Sequence, residues 1–307
     1  MSRVVVAGEA LIDLIVSGAG GITPVAGGGP FNTARTIGRL GGDVAWLGRL
    51  SRDRFGRGMR DRLVQDSVSP ALIVDTDDPT TLALAELDAS GAATYRFYVD
   101  GTSAPGLSVG DTLGALAADT EALHVGTLGL VLPPMADALE ALVAAAGAQV
   151  LVMVDPNCRP SIIHDAPAHR ARLDVVLERA DVVKVSTDDV DWLAPGVDHR
   201  AWASALAARG PRLVLLTAGS GGVAVVGRDG ITDVPVPRVD VVDTVGAGDA
   251  FGGGFLASWL ERGLGRAHLD DRAAVIACAE RAVRVAALTC GRAGAEPPTR
   301  AELDAAG

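Results

Sequence analysis

Short apolar runs of four or five residues recur along the chain, separated by longer stretches in which apolar positions fall three and four apart. The short runs at 4–7, 44–47, 122–125, 150–154, 182–185 and 213–217 are rich in Val and Leu and bounded by Gly, Asp or Asn. That pattern predicts strands buried on both faces. The stretches at 32–40, 55–65, 134–146, 170–179, 202–208, 250–262 and 271–288 carry the helical period. Strand alternating with helix predicts a parallel sheet covered by helices. Two places break the alternation. A β-like run at 11–16 follows the first strand directly, and runs at 81–87 and 94–99 are joined by Asp88-Ala-Ser-Gly91, a hairpin signal. Such antiparallel insertions are expected outside the main sheet. A further β-like run covers 231–242, and no internal repeat or low-complexity linker is visible.

At 307 residues the chain is long enough for one large α/β domain or two smaller ones. Hydrophobic residues make up 49% but aromatics only 4%, so the core must be built mainly of Ala, Val and Leu. The formal charge of −11 disfavours nucleic acid and anionic membranes as partners. An anionic substrate would need a local positive site or a metal. Lys184 is the sole lysine, which excludes a P-loop of the Gly-Lys-Ser/Thr type. Cys158, Cys278 and Cys290 form no C-x-x-C pair, and the five histidines show no ligand spacing, so neither a disulfide framework nor a zinc site is indicated. The sequence runs into its first strand at Arg3 without a signal-peptide pattern, and no apolar run is long enough to span a membrane. A cytoplasmic protein is expected.

The densest chemistry lies in Asp243-Thr-Val-Gly-Ala-Gly-Asp249, followed by Ala250-Phe251-Gly-Gly-Gly254. Gly246, Ala247 and Gly248 would open a helix, where backbone N–H groups lack intrahelical partners and the helix dipole favours an anion. Asp249 sits inside that anion site. A base beside a phosphate cradle suggests phosphoryl transfer. The local alternative is a helix N-terminus with acidic capping and glycines for close packing.

This segment resembles the C-terminal signature of the ribokinase-like (PfkB) sugar kinases. Their N-terminal signature is matched by Gly27-Gly-Gly-Pro-Phe-Asn32-Thr-Ala, then Leu40-Gly41-Gly42 and Gly48. The resemblance runs from Gly8-Glu9-Ala10-Leu11-Ile12-Asp13 to Thr289-Cys-Gly-Arg292-Ala-Gly294-Ala-Glu-Pro-Pro298. It implies a three-layer α/β/α sandwich with a mostly parallel central sheet. Residues 1–307 would form one domain, with a small β lid made of about 11–17 and 81–100.

The same resemblance assigns roles. Asp249 becomes the catalytic base, with Gly246, Ala247 and Gly248 as the anion hole. Asp13, Gly28, Gly29 and Asn32 become sugar ligands; the residues alone also allow a buried turn carboxylate for Asp13 and a helix N-cap for Asn32. Phe97 could cover an apolar sugar face or simply face the core, while Arg96 could bind a carboxylate. Asp155-Pro-Asn157-Cys-Arg159-Pro160 follows a strand, where α/β sheets place ligands, and Asn157 and Arg159 would point toward sugar or phosphate. Lys184-Val-Ser186-Thr-Asp-Asp189 stands where the family usually has Asn-x-x-Glu near magnesium and phosphate. Lys184, Ser186, Asp189, Asp243, Thr217, Gly219 and Gly222 are thus assigned to the nucleotide. Asp243, Val245, Thr289, Arg292 and Gly294 match a monovalent-cation site built mostly of carbonyls. Pro298 falls near the position of a side-chain ligand in ribokinases and offers only its carbonyl.

The resemblance therefore implies ATP and Mg²⁺, with K⁺ as a candidate, a sugar as partner, and pairing of two copies through the lid. Glu9 to Asp13, Asp155 to Pro160, Lys184-Val-Ser and Gly294 to Pro298 look most like bacterial fructokinases, which implies fructose phosphorylated on its primary 6-hydroxyl. The alternatives are 2-keto-3-deoxygluconate kinase, with Arg96 or Arg159 on the acid, then ribokinase or adenosine kinase. From other classes come a catalytically silent sugar-binding regulator and a dinucleotide oxidoreductase. Intact Asp249 opposes the former, and the absence of G-x-G-x-x-G after the first strand opposes the latter.

Overall fold

A computed structural model describes residues 3–16, 21–87 and 93–306. The strands are β1 (Arg3–Ala7), β2 (Leu11–Val16), β3 (Ile22–Gly27), β4 (Val44–Ser51), β5 (Val68–Ser69), β6 (Ile73–Thr76), β7 (Leu82–Leu87), β8 (Ala93–Tyr98), β9 (Thr120–Gly126), β10 (Leu151–Asp155), β11 (Val182–Ser186), β12 (Leu213–Thr217), β13 (Val223–Gly227) and β14 (Gly230–Val234). The helices are α1 (Gly29–Arg39), α2 (Arg54–Gln65), α3 (Met135–Ala145), α4 (Ala166–Arg179), α5 (Thr187–Leu193), α6 (His199–Arg209), α7 (Ala247–Glu261), α8 (Arg272–Cys290) and α9 (Arg300–Ala305). Ten strands form one sheet in the order β14-β13-β12-β11-β10-β9-β1-β4-β5, with β6 also on β4. From β12 to β6 every pairing is parallel.

Alternation along each strand explains the layers. Val4 and Val6 of β1 point to one face, where Phe31, Met59, Phe255 and Trp259 from α1, α2 and α7 pack with α8. Val5 and Ala7 point to the other face, onto Leu139, Leu173 and Leu206 of α3, α4 and α6. Both faces are therefore dry, as continuous apolar strands require. Among the described residues no helix is long and apolar enough to cross a membrane.

A second sheet of four strands, β3-β2-β7-β8, stands apart from the first. The β-like runs at 11–16, 81–87 and 94–99 do leave the main sheet, as expected. Three details differ from the sequence expectation. First, β3 completes the small sheet, and its Pro24 is tolerated because β3 is an edge strand. Second, β2 and β7 pair in parallel, and the antiparallel pairs β12–β13 and β13–β14 lie within the main sheet at its edge. Third, the run expected to extend over 231–242 ends as a strand at Val234, because Pro235 and Pro237 have no N–H to continue the ladder. The expected turn at Asp88 to Gly91 and residue 17 lie outside the described residues.

Five adjacent parallel strands carry the site. β1, β9, β10, β11 and β12 end at the same edge and deliver Glu9, Thr127, Asn157, Ser186 and Thr217 to one cavity. The start of α7 is brought there by close packing. A Cβ on Gly253 would lie 2.8 Å from the Thr33 carbonyl of α1, and one on Gly254 would lie 3.2 Å from Ala282 Cα of α8. These glycines weaken the helix by about 1 kcal/mol each relative to Ala. In return they let α7 sit between α1 and α8.

Candidate active site

Helix α7 starts at Ala247 behind Gly246, whose φ of +75° is left-handed and favours glycine. A Cβ at Gly246 would also lie 2.4 Å from Ala295 Cβ. The N–H groups of Gly246 and Gly248 have no partner among the described residues, while that of Ala247 reaches the Thr244 carbonyl at 3.3 Å. The amides expected to form an anion hole therefore stand at the head of α7, two of them unpaired and that of Ala247 partly engaged.

Asp249, in the first turn, is only 8% exposed. Asn32 Nδ2 donates to Asp249 Oδ2 at 2.9 Å, and Thr33 Oγ1 donates to the Asp249 carbonyl at 3.4 Å. Asn32 is not the N-cap of α1, because that helix already begins at Gly29 with Pro30 in its first turn. Its side chain is therefore free to reach Asp249. Burial raises the Asp249 carboxyl above the ordinary value; the Asn32 bond, then Lys184 and Arg159, oppose it. A raised carboxyl is a better acceptor for a hydroxyl proton.

Asp249 faces a cavity of about 360 Å³, within the size of small-molecule sites. Asp13, Gly28, Gly29, Asn32, Phe97 and Arg159 all line it, so the six residues expected at the sugar converge. Burial pushes Asp13 up to about 6, with Arg159 opposing and Asp249 adding to the rise. Phe97 stacks on Tyr95, ring centroids 6.2 Å apart, and both line the cavity. Arg96 does not line it, since successive β8 side chains alternate between faces.

The glycine run is dictated by contact. Gly28 has φ +109°, and a Cβ there would meet the Glu9 carbonyl at 2.7 Å. A Cβ on Gly29 would meet Thr127 Oγ1 at 2.4 Å. Glu9, buried, accepts from Gly29 N through Oε1 and from Gly129 N through Oε2, both at 3.1 Å. It thereby ties the glycine run to the turn after β9. Burial pushes Glu9 up to about 8 against the pull of its own, Gly29 and Gly129 N–H groups. Thr127 and Asn157 hold left-handed φ values of +54° and +37°, and Asn157 Nδ2 donates to Thr127 Oγ1 at 3.3 Å. Such backbone outliers cluster at functional sites.

The nucleotide-side expectations divide. A larger cavity of about 1180 Å³ is lined by Thr217, Gly219 and Gly222, by the irregular stretch 236–241, and by Ala247, Gly248 and Phe251. Lys184 and Ser186 line the smaller cavity and not this one, because β11 lies between β10 and β12 and ends beneath Gly248. Asp189 lines neither; it accepts from Cys158 N at 2.6 Å and caps α5 with Ser186. The two cavities meet at Thr217, Thr244 and Gly248.

Asp243 accepts from Val245 N at 3.0 Å and from Gly294 N at 2.9 Å, which brings the loops expected at a monovalent cation side by side. Thr289 is buried with its hydroxyl bonded to the Val285 carbonyl, and the Arg292 side chain turns to Glu302. Neither side chain is left for a cation, and the Thr289 carbonyl already accepts from Arg292 N at 3.0 Å. Among the described residues no group of three or more His, Cys, Asp or Glu side chains is placed to hold a metal.

The sequence pattern does not mark Tyr95 or Thr127, and it shows Glu9 only as part of a motif. Tyr95 shares a β8 face with Phe97, so strand alternation was a usable signal. Thr127 carried only its place after an apolar run, and nothing in 236–241 marks a pocket wall.

A buried carboxylate beside unpaired helix N-terminal amides, between a small polar cavity and a larger groove, marks a phosphotransferase of the ribokinase-like fold. The chain belongs to the pfkB family of carbohydrate kinases, which matches residues 1–302. It is 39% identical over 255 residues to a fructokinase of Rhizobium leguminosarum bv. trifolii, covering 82% of this chain and 78% of that one. Its fold matches a Xylella fastidiosa fructokinase with bound ATP at a TM-score of 0.91, with 29% identity over 99% of this chain and 97% of that one. A Vibrio cholerae O395 fructokinase, with fructose, ADP and calcium ion bound, matches at 0.87 with 28% identity over 99% and 98%. A double mutant of that protein, with fructose, ADP and potassium ion, matches equally well.

Proposed function

We propose that this sugar kinase transfers the γ-phosphoryl group of ATP to the primary 6-hydroxyl of fructose. The observation that carries the reading is the junction of the two cavities at Gly248, with the Asp249 carboxylate on the small side and the Thr217–Gly222 loop on the large side. The fructose- and nucleotide-bound relatives support the choice of substrates.

Fructose enters the smaller cavity against the glycine run. Asp13 accepts from its hydroxyls, and Tyr95 and Phe97 cover its carbon face. Asp249 takes the proton of the attacking hydroxyl as that oxygen bonds to the γ-phosphorus. The bond from the γ-phosphorus to the bridging oxygen breaks, and its electron pair leaves on ADP. The free Gly246 and Gly248 amides meet the charge on the group in flight. Magnesium would enter with the nucleotide phosphates and help neutralise their charge. A potassium ion would rest on carbonyls of the 243–245 and 289–294 loops. The small sheet serves as the lid that excludes water from the site.

A coupled assay of ADP release, run over ketoses, aldoses, sugar acids and nucleosides with Mg²⁺ and ATP, tests this. Fructose is expected to give the highest kcat/KM. A tenfold preference for 2-keto-3-deoxygluconate would overturn the choice of acceptor. Release no faster than background with every sugar would overturn the kinase reading itself.

A further inference from the structure

Lys184 is the sole lysine of the chain and is only 4% exposed. Burying an ammonium is expensive, and a buried ion pair with a purely structural role can often be replaced by well-packed apolar residues without loss. Its surroundings make the placement more unusual. The ammonium lies under the start of α7, where the helix dipole is positive and a cation is unfavourable. A Cβ on Gly248 would sit 2.8 Å from Lys184 Nζ.

Lys184 has three N–H donors. One is used, to Asp155 Oδ2 at 2.9 Å, and no other partner exists among the described residues. The side chain lines the smaller cavity close to where the two cavities meet. Burial opposes its charge, but Asp155, Asp189 and Asp249 outweigh burial and hold the ammonium above its ordinary value. It therefore stays a donor, and Asp249 remains the group that accepts the proton. His124, also buried nearby, is pushed down to about 3 by burial and by Lys184, so it adds no second positive charge.

A fixed cation with spare donors, next to unpaired amides and aimed at a junction of cavities, is suited to an anion that forms there. Resting on the phosphotransfer reading, we propose that Lys184 is a catalytic residue that donates hydrogen bonds to the non-bridging oxygens of the phosphoryl group in flight, held in place by Asp155. This differs from the nucleotide-binding role that its sequence context implied. The ammonium contacts the group during transfer and contributes little to ground-state binding of either substrate. Gly248 must be glycine so that Lys184 can reach this point.

Because the chain has a single lysine, selective ¹⁵Nζ labelling of the whole protein gives one lysine side-chain signal. In the wild-type protein that signal is expected to shift clearly when aluminium fluoride is added to a mixture of MgADP and the sugar turned over fastest. Sugar and MgADP alone should move it much less. A signal that ignores aluminium fluoride while the analogue inhibits turnover would overturn the proposal. The variant Lys184→Met/Asp155→Asn removes both charges and avoids stranding one. It is expected to keep the KM for sugar and ATP within about threefold while kcat falls by roughly 10²–10³, the usual effect of losing one transition-state donor. Loss confined to KM, or a kcat within threefold of wild type, would overturn it. Wild-type turnover of fructose, measured alongside, separates failure of this assignment from failure of the kinase reading.

Discussion

The side-chain amide of Asn32 donates to Asp249 Oδ2 at 2.9 Å, joining the first turns of two helices whose residues lie 217 positions apart. Each helix carries one of the family's two signatures, and this bond is the point at which they become one site. It also sets the chemistry, because it is the largest influence opposing the burial that raises the Asp249 carboxyl.

Asp249 must be ionised to accept a proton, so kcat should fall on the acid side as it becomes protonated. Its raised value places that limb above the pH expected for an ordinary aspartate. Removing the Asn32 donor with Asn32→Leu should move the limb to still higher pH. Asp249→Asn should cut kcat by roughly 10²–10⁴ while sugar and ATP still bind. The kcat–pH profile and calorimetric binding check these outcomes. Near-normal turnover in a folded Asp249→Asn protein would remove Asp249 from the base role.

Glu9 predicts a pH dependence of stability. Its carboxyl is held near 8 in the fold by burial, against an ordinary value of 4.5. Between those values the folded state binds a proton that the unfolded chain has released. The contribution is therefore complete below about 4.5 and is lost as pH rises toward 8. Glu9→Gln cannot titrate, so its urea-unfolding free energy should lack this decline. Equal pH slopes for the variant and the wild type would refute it. Glu9→Ala should cost roughly 2–6 kcal/mol, because two buried N–H groups lose their acceptor.

Gly248→Ala offers a test of close approach. The added methyl would sit 2.8 Å from a pinned ammonium, so Lys184 or the helix start must shift. A displacement of about 1 Å at a reacting centre can cost about 10²-fold. We expect kcat to drop by that order with little change in thermal midpoint. A variant with wild-type kcat would show that the ammonium has room to move.

The small sheet should respond to sugar. Among the described residues, Tyr95 and Phe97 are the β8 side chains that line the smaller cavity, so Phe97→Ala should raise the sugar KM more than it lowers kcat. Saturating sugar should slow amide hydrogen exchange across β2, β3, β7 and β8 and leave the central strands unchanged. Including β3 distinguishes this from a two-segment lid, because Asp13 lies opposite Val25 in the β2–β3 pair. Exchange in β2, β3, β7 and β8 that is indifferent to a turned-over sugar would show that the sheet does not close.

Removing one buried arginine should test how the loop behind Gly246 is held. Arg35, buried in α1, bonds Asp66 at 2.6 Å and the Ala295 carbonyl at 2.9 Å, and Ala295 packs on Gly246. Arg35→Met removes one of three arginines on buried Asp66, together with the Arg35 bond to Glu296, and should cost about 1.5–3 kcal/mol in denaturant unfolding. A loss below 1 kcal/mol would show that Asp66 is satisfied by Arg39 and Arg62 alone.

By itself the sequence determined the α/β alternation and the glycine-rich start of α7 with Asp249 in its first turn. Both are short-range properties. Strands buried on two faces must be apolar throughout, and a helix start that opens on an anion site must be glycine-rich. Boundaries were less legible: α4 begins at Ala166 and not at 170, since Asp165 caps it with a side-chain bond that periodicity does not register. Tertiary structure alone decided which distant groups meet. Nothing local to Lys184 says that β11 ends beneath Gly248, and nothing local to Glu9 says that its two oxygens bridge Gly29 and Gly129. The same holds for Thr127, whose place depends on the order of β1, β9 and β10 in the sheet. Strand order and helix packing fix such contacts, and they depend on burial summed over the whole core and not on the few residues around each position.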